Sequence, residues 1–487
     1  MAAQRVAIIG AGASGLCALK CCLDEGLVPT CFERSGDIGG LWRFEEHPEE
    51  GRASIYRSVI INTSKEMMCF SDFPIPEDFP NYMHNSKIME YFRMAPSNSS
   101  PSHGLLSLQQ HPAPSSPPPL DGGGCCSPSS RTSIPVQGAW RGPSPVPRKL
   151  SCHHLPSPSS QVFLSTKRGT WVLHRLADGG YPFDFSYIRR SIQLLRSLVP
   201  HEVSSFFVER KLNARFDHAL YGLQPQHRIF EQHLTINDDL PNRIISGRVL
   251  VKPNIQEFTE TSAIFEDGTR EDIDAVVFAT GYSFSFPFLE GCVKVVENQI
   301  PLYKFMFPPD LEKPTLAFIG FVQPQGAIMP ISELQCRWAT RIFKGLQDLP
   351  PPADMLADIT QTKEKMAKRY VRSQRHTIQV DYIPYMDELA CQVGVKPNLL
   401  TLFLTDPKLA LEVAFGPCTP YQYRLWGPGR WAGAREAILT QHQRIIKPLQ
   451  PRAGGRPAHS STMPHIFKVI FSVGLIVATL VYVSLSP

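Results

Sequence analysis

The 487-residue sequence has no basic cluster that alternates with aromatic residues, although its net charge is +5 and its pI is about 8.5. That absence argues against a nucleic-acid partner. The twelve cysteines repeat no C-x-x-C or similar spaced pair, and Cys17, Cys21 and Cys22 crowd one predicted helix where disulfides would compete with packing. Such usage fits a reducing, cytosolic-side compartment. Cys125, Cys126, Cys152, His153 and His154 match no zinc spacing, so no metal site is expected. A secretory leader is missing too, because the first apolar run passes directly into a glycine loop. The other end differs. Residues 466 to 485 are apolar with one charge, Lys468, and are long enough to cross a bilayer as a helix. Arg444, Lys447, Arg452 and Arg456 precede them, which keeps the body of the protein cytoplasmic by the positive-inside bias. A tail anchor in an internal membrane is the expectation, and a buried or interfacial helix is the alternative.

What is present starts with nucleotide chemistry. Arg5 to Ile9 (RVAII) reads as a strand buried on both faces. It runs into Gly10-Ala11-Gly12-Ala13-Ser14-Gly15, the G-x-G-x-x-G spacing. Gly10 permits the tight turn, Gly12 lets the backbone approach a pyrophosphate, and Gly15 lets the next helix pack on the strand. That helix, about Ser14 to Glu25, aims its N-terminal N–H groups at the phosphates. Thr30 to Glu33 reads as the second strand, ending in an acid placed to accept from a ribose hydroxyl and to repel a 2′-phosphate. The following Gly36-Asp-Ile-Gly39-Gly40-Leu41-Trp42 resembles the segment that flavoproteins lay along FAD. The unit is therefore read as an FAD site rather than an NAD or NADP site.

Four zones follow along the chain. Residues 1 to 94 are globular. In 95 to 160, 14 Pro and 16 Ser occupy 30 of 66 positions, a composition that cannot bury enough apolar surface to offset its ordering entropy. This stretch reads as a disordered insert or linker. Globular sequence resumes at Gln161, with Val162 to Ser165 as a strand, and continues to about Pro448. A basic hinge, 449 to 465, and the apolar tail complete the chain. Within the third zone, Ser262 to Gly281 reads as two strands joined at Asp267-Gly268, the second being Ala275 to Ala279. Leu316 to Gly320 reads as a buried strand and Glu333 to Leu346 as an amphipathic helix.

Several longer runs then carry a resemblance. Cys31-Phe-Glu-Arg34, Ile38 to Trp42, Gly51 to Tyr56, Asn62 to Phe70, Asn237-Asp-Asp-Leu-Pro241, Phe278 to Tyr282, Leu404 to Lys408 and Phe415 to Cys418 are similar to stretches of the vertebrate flavin-containing monooxygenases, the dimethylaniline N-oxide-forming family. Val59 to Asn62, Gln161 to Thr166 and Asn242 to Gly247 look most like the fifth mammalian form. The resemblance covers most of 1 to 94 and 161 to 448. It implies an α/β flavoprotein with two dinucleotide-binding domains, split as 1 to 94 and 282 to 448 for FAD and 161 to 281 for NADPH. It also implies FAD and NADP(H) as cofactors, an endoplasmic reticulum membrane and a cytoplasmic catalytic part. The family's chemistry is mostly the cofactor's. NADPH reduces FAD, O₂ adds, and a flavin hydroperoxide oxygenates a nitrogen or sulfur nucleophile or a carbonyl compound, such as a small xenobiotic. By the same resemblance, Gly10 to Gly15 hold the FAD pyrophosphate and Glu33 its ribose. Gly40, Leu41, Trp42, Ile61, Asn62 and Thr63 line the flavin, and Asn62 also contacts the nicotinamide end of NADP⁺ and serves catalysis. Its amide can both donate and accept, which suits that place.

One departure from the family pattern stands out. Upstream of Gln161, where the family carries a second G-x-G-x-x-G and an F-x-G-x-x-x-H-x-x-x-[FY] run, this chain has the Pro/Ser stretch, whose glycine cluster Gly122 to Gly124 lacks the spacing. Lys167 and Arg168 keep the place where the family uses a cation for the 2′-phosphate of NADPH, and the alternative there is a solvated basic turn. The expectation is a monooxygenase whose second domain is incomplete. Alternatives from other classes are an anchored relative that binds FAD at most and a leaky NADPH oxidase.

Overall fold

The computed structural model describes residues 4–47, 55–94, 139–141, 161–281, 283–289, 293–371, 373 and 376–450. β1 (Arg5–Ile9) pairs in parallel with β2 (Val28–Phe32), and α1 (Ala13–Asp24) connects them, so the opening unit is a right-order βαβ half. Its sheet holds these two strands alone among the described residues. β1 is therefore not buried on both faces as expected. Ile8 is buried, but Ile9 is 69% exposed, and among the described residues no second strand flanks the pair.

Leu316 to Gly320 does not supply that neighbour. It forms no strand, and the Phe318 N–H donates to the Met306 carbonyl instead of to a ladder. A strand needs a ladder partner in register, and this run bonds to the Met306 loop instead. The helix expected from Glu333 starts earlier and runs Met329–Phe343, with Pro330 in its first turn where a missing N–H costs nothing.

The second sheet has the order β11 (Ala275–Val277), β3 (Ala139–Arg141), β4 (Val162–Ser165) and β7 (Val249–Lys252). β4 and β7 are parallel, while β3 is antiparallel to both β4 and β11. All four residues of β4 are buried, as two covered faces require. Three residues of the stretch expected to be linker thus form an inner strand. The hairpin at Asp267-Gly268 also differs from expectation. β9 (Ser262–Phe265) pairs with β10 (Arg270–Asp272) and with β8 (Ile255–Phe258), and Ala275–Val277 has crossed to the other sheet. Two further pairs are parallel: β5 (Val172–Leu173) with β6 (Thr235–Ile236), and β12 (Gln323–Gln325) with β13 (Gln379–Asp381).

One hydrophobic core joins residues from Ile8 to Phe92 with residues from Tyr303 to Ile438. One buried polar cluster inside it is paired. The Arg424 guanidinium meets Glu333 at 2.5 Å and Asp72 at 2.9 Å, and its Nε donates to Ser71 Oγ at 2.6 Å. The Ser71 N–H donates to the other Glu333 oxygen at 2.7 Å. Burial pushes Glu333 up, but Arg424 and Arg337 more than offset it and hold the carboxylate charged. No helix among the described residues is long and apolar enough to cross a membrane, and none of their His, Cys, Asp and Glu groups could hold a metal. The tail at 466 to 485, most of the basic hinge, Gly122 to Gly124 and the Cys125–His154 group lie outside the described residues.

Candidate active site

The glycine loop is built by three different requirements. Gly10 has φ +96, a backbone conformation L side chains rarely adopt, and its N–H donates to the Phe32 carbonyl at 2.8 Å. A Cβ on Gly15 would stand 1.8 Å from the Gly10 carbonyl oxygen, so only glycine lets α1 leave the turn this closely. Gly12 has ordinary angles, φ −75 and ψ −174, and faces Gly40, whose Cα would lie 3.6 Å from a Gly12 Cβ. The Gly39 N–H donates to the Ala11 carbonyl at 2.9 Å. The loop at 10–15 and the Gly40–Trp42 turn are thereby locked backbone to backbone.

Glu33 closes the unit. Its Oε2 accepts the Ala11 N–H at 2.7 Å, and its Oε1 accepts from the N–H and Oγ of Ser35 at 2.9 and 2.7 Å. Ser14 Oγ lies 3.1 Å from Ser332 Oγ at the start of the Met329–Phe343 helix, and Gly320 packs on the same serine. Backbone stripped of Cβ atoms at the N-terminus of a 12-residue helix, beside a carboxylate at the end of β2, is a cradle that fits the pyrophosphate and ribose of a dinucleotide.

The segment carrying Ile61, Asn62 and Thr63 is held from far along the chain. Asn62 Oδ1 accepts from Arg175 Nη2 at 2.7 Å, and Arg175 Nε donates to the Ile61 carbonyl at 3.1 Å. Asp238 clamps Arg175 through its N–H at 2.9 Å and its Nη1 at 2.6 Å. Partial burial pushes Asp238 up, but His174 beside it and the two bonds from Arg175 outweigh that and hold the carboxyl well below the usual carboxylate range. One residue beyond Thr63, Ser64 donates to Asp184 Oδ2 through its N–H at 2.7 Å and its Oγ at 3.0 Å. Asp184 is fully enclosed, and burial pushes its carboxyl up to about 6 against those bonds. Tyr82 Oη donates to the Arg175 carbonyl at 2.7 Å and ties the two anchors together.

The structure thus brings the Gly10–Gly15, Glu33 and Gly40–Trp42 residues into one cradle, and gives Asn62 partners in the segment that carries Lys167 and Arg168. Those two cations are exposed in the turn after β4. Arg175, Asp184 and Asp238 escaped sequence reasoning. Asp238 lies within the quoted Asn237–Pro241 stretch, but nothing local marks it as the partner of Arg175.

A family model described as flavin-binding monooxygenase-like matches residues 3–102 and 152–484. The chain belongs to this family. It is a flavin-dependent monooxygenase with an α/β flavoprotein fold. Flavin-containing monooxygenase 5 of Oryctolagus cuniculus is 50% identical over 99% of this chain and 100% of its own length, and that of Homo sapiens is 48% identical over the same shares. Dimethylaniline monooxygenase [N-oxide-forming] 2 of Cavia porcellus is 46% identical over 98% of both. The alignment with the rabbit relative runs to 546 positions against the 487 residues here, so dozens of its positions have no residue of this chain. The family model likewise leaves 103–151 unmatched. Among solved structures, an S-allyl-L-cysteine S-oxygenase from Allium sativum is 19% identical over 91% of this chain and 99% of that one, with a TM-score of 0.49. The family assignment rests on the sequence matches.

Proposed function

We propose that this monooxygenase holds FAD in the 10–15 and 39–42 cradle, takes reducing equivalents from NADPH, and oxygenates small lipophilic molecules at a nitrogen, a sulfur or a carbonyl-bearing carbon. The observation that carries the reading is the interlocked cradle, with Gly12 and Gly40 backbone to backbone and Glu33 fixed on the Ala11 N–H. When bound, the flavin supplies the redox and oxygen chemistry. The chain's own residues bind and orient it. The N-terminus of α1 would neutralise pyrophosphate charge, Glu33 would accept from the ribose, and Leu41, Trp42, Ile61, Asn62 and Thr63 would hold the flavin. Lys167 and Arg168 are assigned to the 2′-phosphate of NADP(H), on their exposed place just after β4. Among the described residues no second glycine loop offers itself for the pyrophosphate of that cofactor.

The same reading divides the chain into an FAD domain in two parts, 1–94 and 282–448, an NADP(H) segment at 161–281, and a tail anchor at 466–485 in the endoplasmic reticulum membrane, with the catalytic part cytoplasmic. The composition of 466–485 supports the anchor. The test is to purify the detergent-solubilised full chain and record its visible spectrum. Bound flavin that NADPH bleaches without oxygen, and N-oxide formed from dimethylaniline in air, are expected. Absence of a flavin spectrum refutes the assignment of the cradle.

A further inference from the structure

Asn62 carries an amide with one accepting and one donating end, and which end faces a ligand decides what it recognises. In this chain the choice is made by a neighbour. Asn62 Oδ1 lies 2.7 Å from Arg175 Nη2. A guanidinium donates in every direction and accepts in none, so the amide cannot be turned round without setting two donors against each other. The oxygen is committed to Arg175, and the Nδ2 donors are left on the opposite side.

Arg175 in turn has little freedom. Its Nη1 donates to Asp238, which also accepts its backbone N–H, its Nε donates to the Ile61 carbonyl and its Nη2 to Asn62, so three side-chain bonds to three residues fix one rotamer of a side chain that otherwise has many. Asp238 stays ionised at neutral pH beside this cation. The clamp spans both sides of the pairing, since Asp238 follows β6 and Arg175 follows the partner strand β5.

We infer that Arg175 is a positioning residue. Clamped by Asp238, it sets the polarity of the Asn62 amide so that this side chain acts on the flavin and its partner nucleotide as a hydrogen-bond donor only. The inference rests on the proposed place of Asn62 at the flavin. It predicts that the site recognises an acceptor atom at that point, and that a group presenting a donor there is rejected. A misplaced amide is also expected to let more of the two electrons taken from each NADPH reduce O₂ to hydrogen peroxide instead of supporting oxygenation of substrate.

The experiment compares Arg175→Gln, Arg175→Lys, Asn62→Ala and the Arg175→Gln/Asn62→Ala double variant in the detergent-solubilised full chain. Readouts are bound FAD per chain, melting temperature, the absorption band of the bound flavin, and peroxide released per NADPH oxidised with dimethylaniline present. Arg175→Gln, which can present either end of its own amide to Asn62, is expected to shift the flavin band and raise peroxide yield at least about threefold while FAD content is kept. Asn62→Ala is expected to do the same, and the double variant to be no worse than Asn62→Ala alone, because a residue acting through Asn62 has nothing left to act on. Arg175→Lys restores a pure donor and is expected to recover part of the coupling. The inference is overturned if the effect of Arg175→Gln adds in full to that of Asn62→Ala, or if Arg175→Gln leaves the flavin band and peroxide yield unchanged while Asn62→Ala moves both. Should Asn62→Ala itself be silent in both, the placement of Asn62 at the flavin fails first and the inference falls with it.

Discussion

Replacing Gly15 by alanine separates folding from cofactor binding when set beside the same change at Gly12. A Cβ on Gly15 would sit 1.8 Å from the Gly10 carbonyl oxygen and 2.9 Å from its carbon. Both atoms are backbone, so no rotamer relieves the clash, and α1 must retreat by about 1.5 Å to restore an ordinary C···O contact. Forced separation of a packed helix and strand costs about 1–3 kcal/mol or more, a sizeable share of a stability of about 5–15 kcal/mol. The retreat also carries the N-terminal N–H groups away from the phosphate position. Gly15→Ala should therefore lower the melting temperature and weaken FAD by more than about tenfold. At Gly12 the angles suit any residue and the nearest atom to a Cβ is 3.6 Å away, so Gly12→Ala should melt within about 2 °C of the parent. It should still lose FAD, because the methyl group occupies the space of the pyrophosphate. Thermal melts with and without added FAD, and fluorescence titration of FAD into the stripped protein, measure both quantities. If Gly15→Ala melts like the parent and binds FAD within twofold, the close-packing argument is wrong. A Gly12→Ala protein that retains its flavin would remove the cradle reading.

Asp184→Asn should change how stability depends on pH. Burial lifts this carboxyl from 3.8 to about 6, so the folded form holds the proton more tightly than the unfolded chain does. Its favourable contribution is complete below about pH 4 and is lost as pH rises through about 6, amounting to about 3 kcal/mol. Melting temperature of the parent minus that of the variant, followed from pH 4 to 8, should fall across this window, and a flat difference would count against it. Arg424→Met should cost about 3–5 kcal/mol by leaving Glu333 buried without its ion-pair partner, whereas Glu333→Met/Arg424→Met should recover more than half of that loss. Denaturant titration checks both, and a double variant no better than the single one would show that the ion pair itself stabilises the core.

The βαβ unit was legible because all its parts lie within about thirty residues, and each glycine answers a local demand. Val162 to Ser165 was legible for a similar reason, since a strand covered on both faces is a short apolar run. Leu316 to Gly320 has the same look but pairs with no strand among the described residues, and strand formation depends on a partner that composition does not reveal. The hairpin turn at Asp267-Gly268 was read correctly while its second strand was not, because Arg270–Asp272 is short and polar and carries no strand signal. The anchors of Asn62 were illegible for a different reason. Arg175 lies 113 positions away and Asp238 another 63 beyond it, and no periodicity links a guanidinium to the side-chain amide it will orient.

The cysteines that argued for a reducing compartment have a second use once their packing is known. Cys21 of α1 meets the Met329–Phe343 helix at the Glu333 carbonyl and at Cys336, Cys17 and Cys22 lie beside it on α1, and all four are buried. Burial pushes the thiols of Cys17, Cys22 and Cys336 upward, so they are poor nucleophiles while the seam is shut. Cys391 is free and exposed. An alkylating reagent would label Cys391 at once and the seam thiols only when α1 lifts away. The labelling rate of the seam, read by mass spectrometry against Cys391, is thus an internal clock for local opening beneath the cradle, and FAD should slow it without touching the reference.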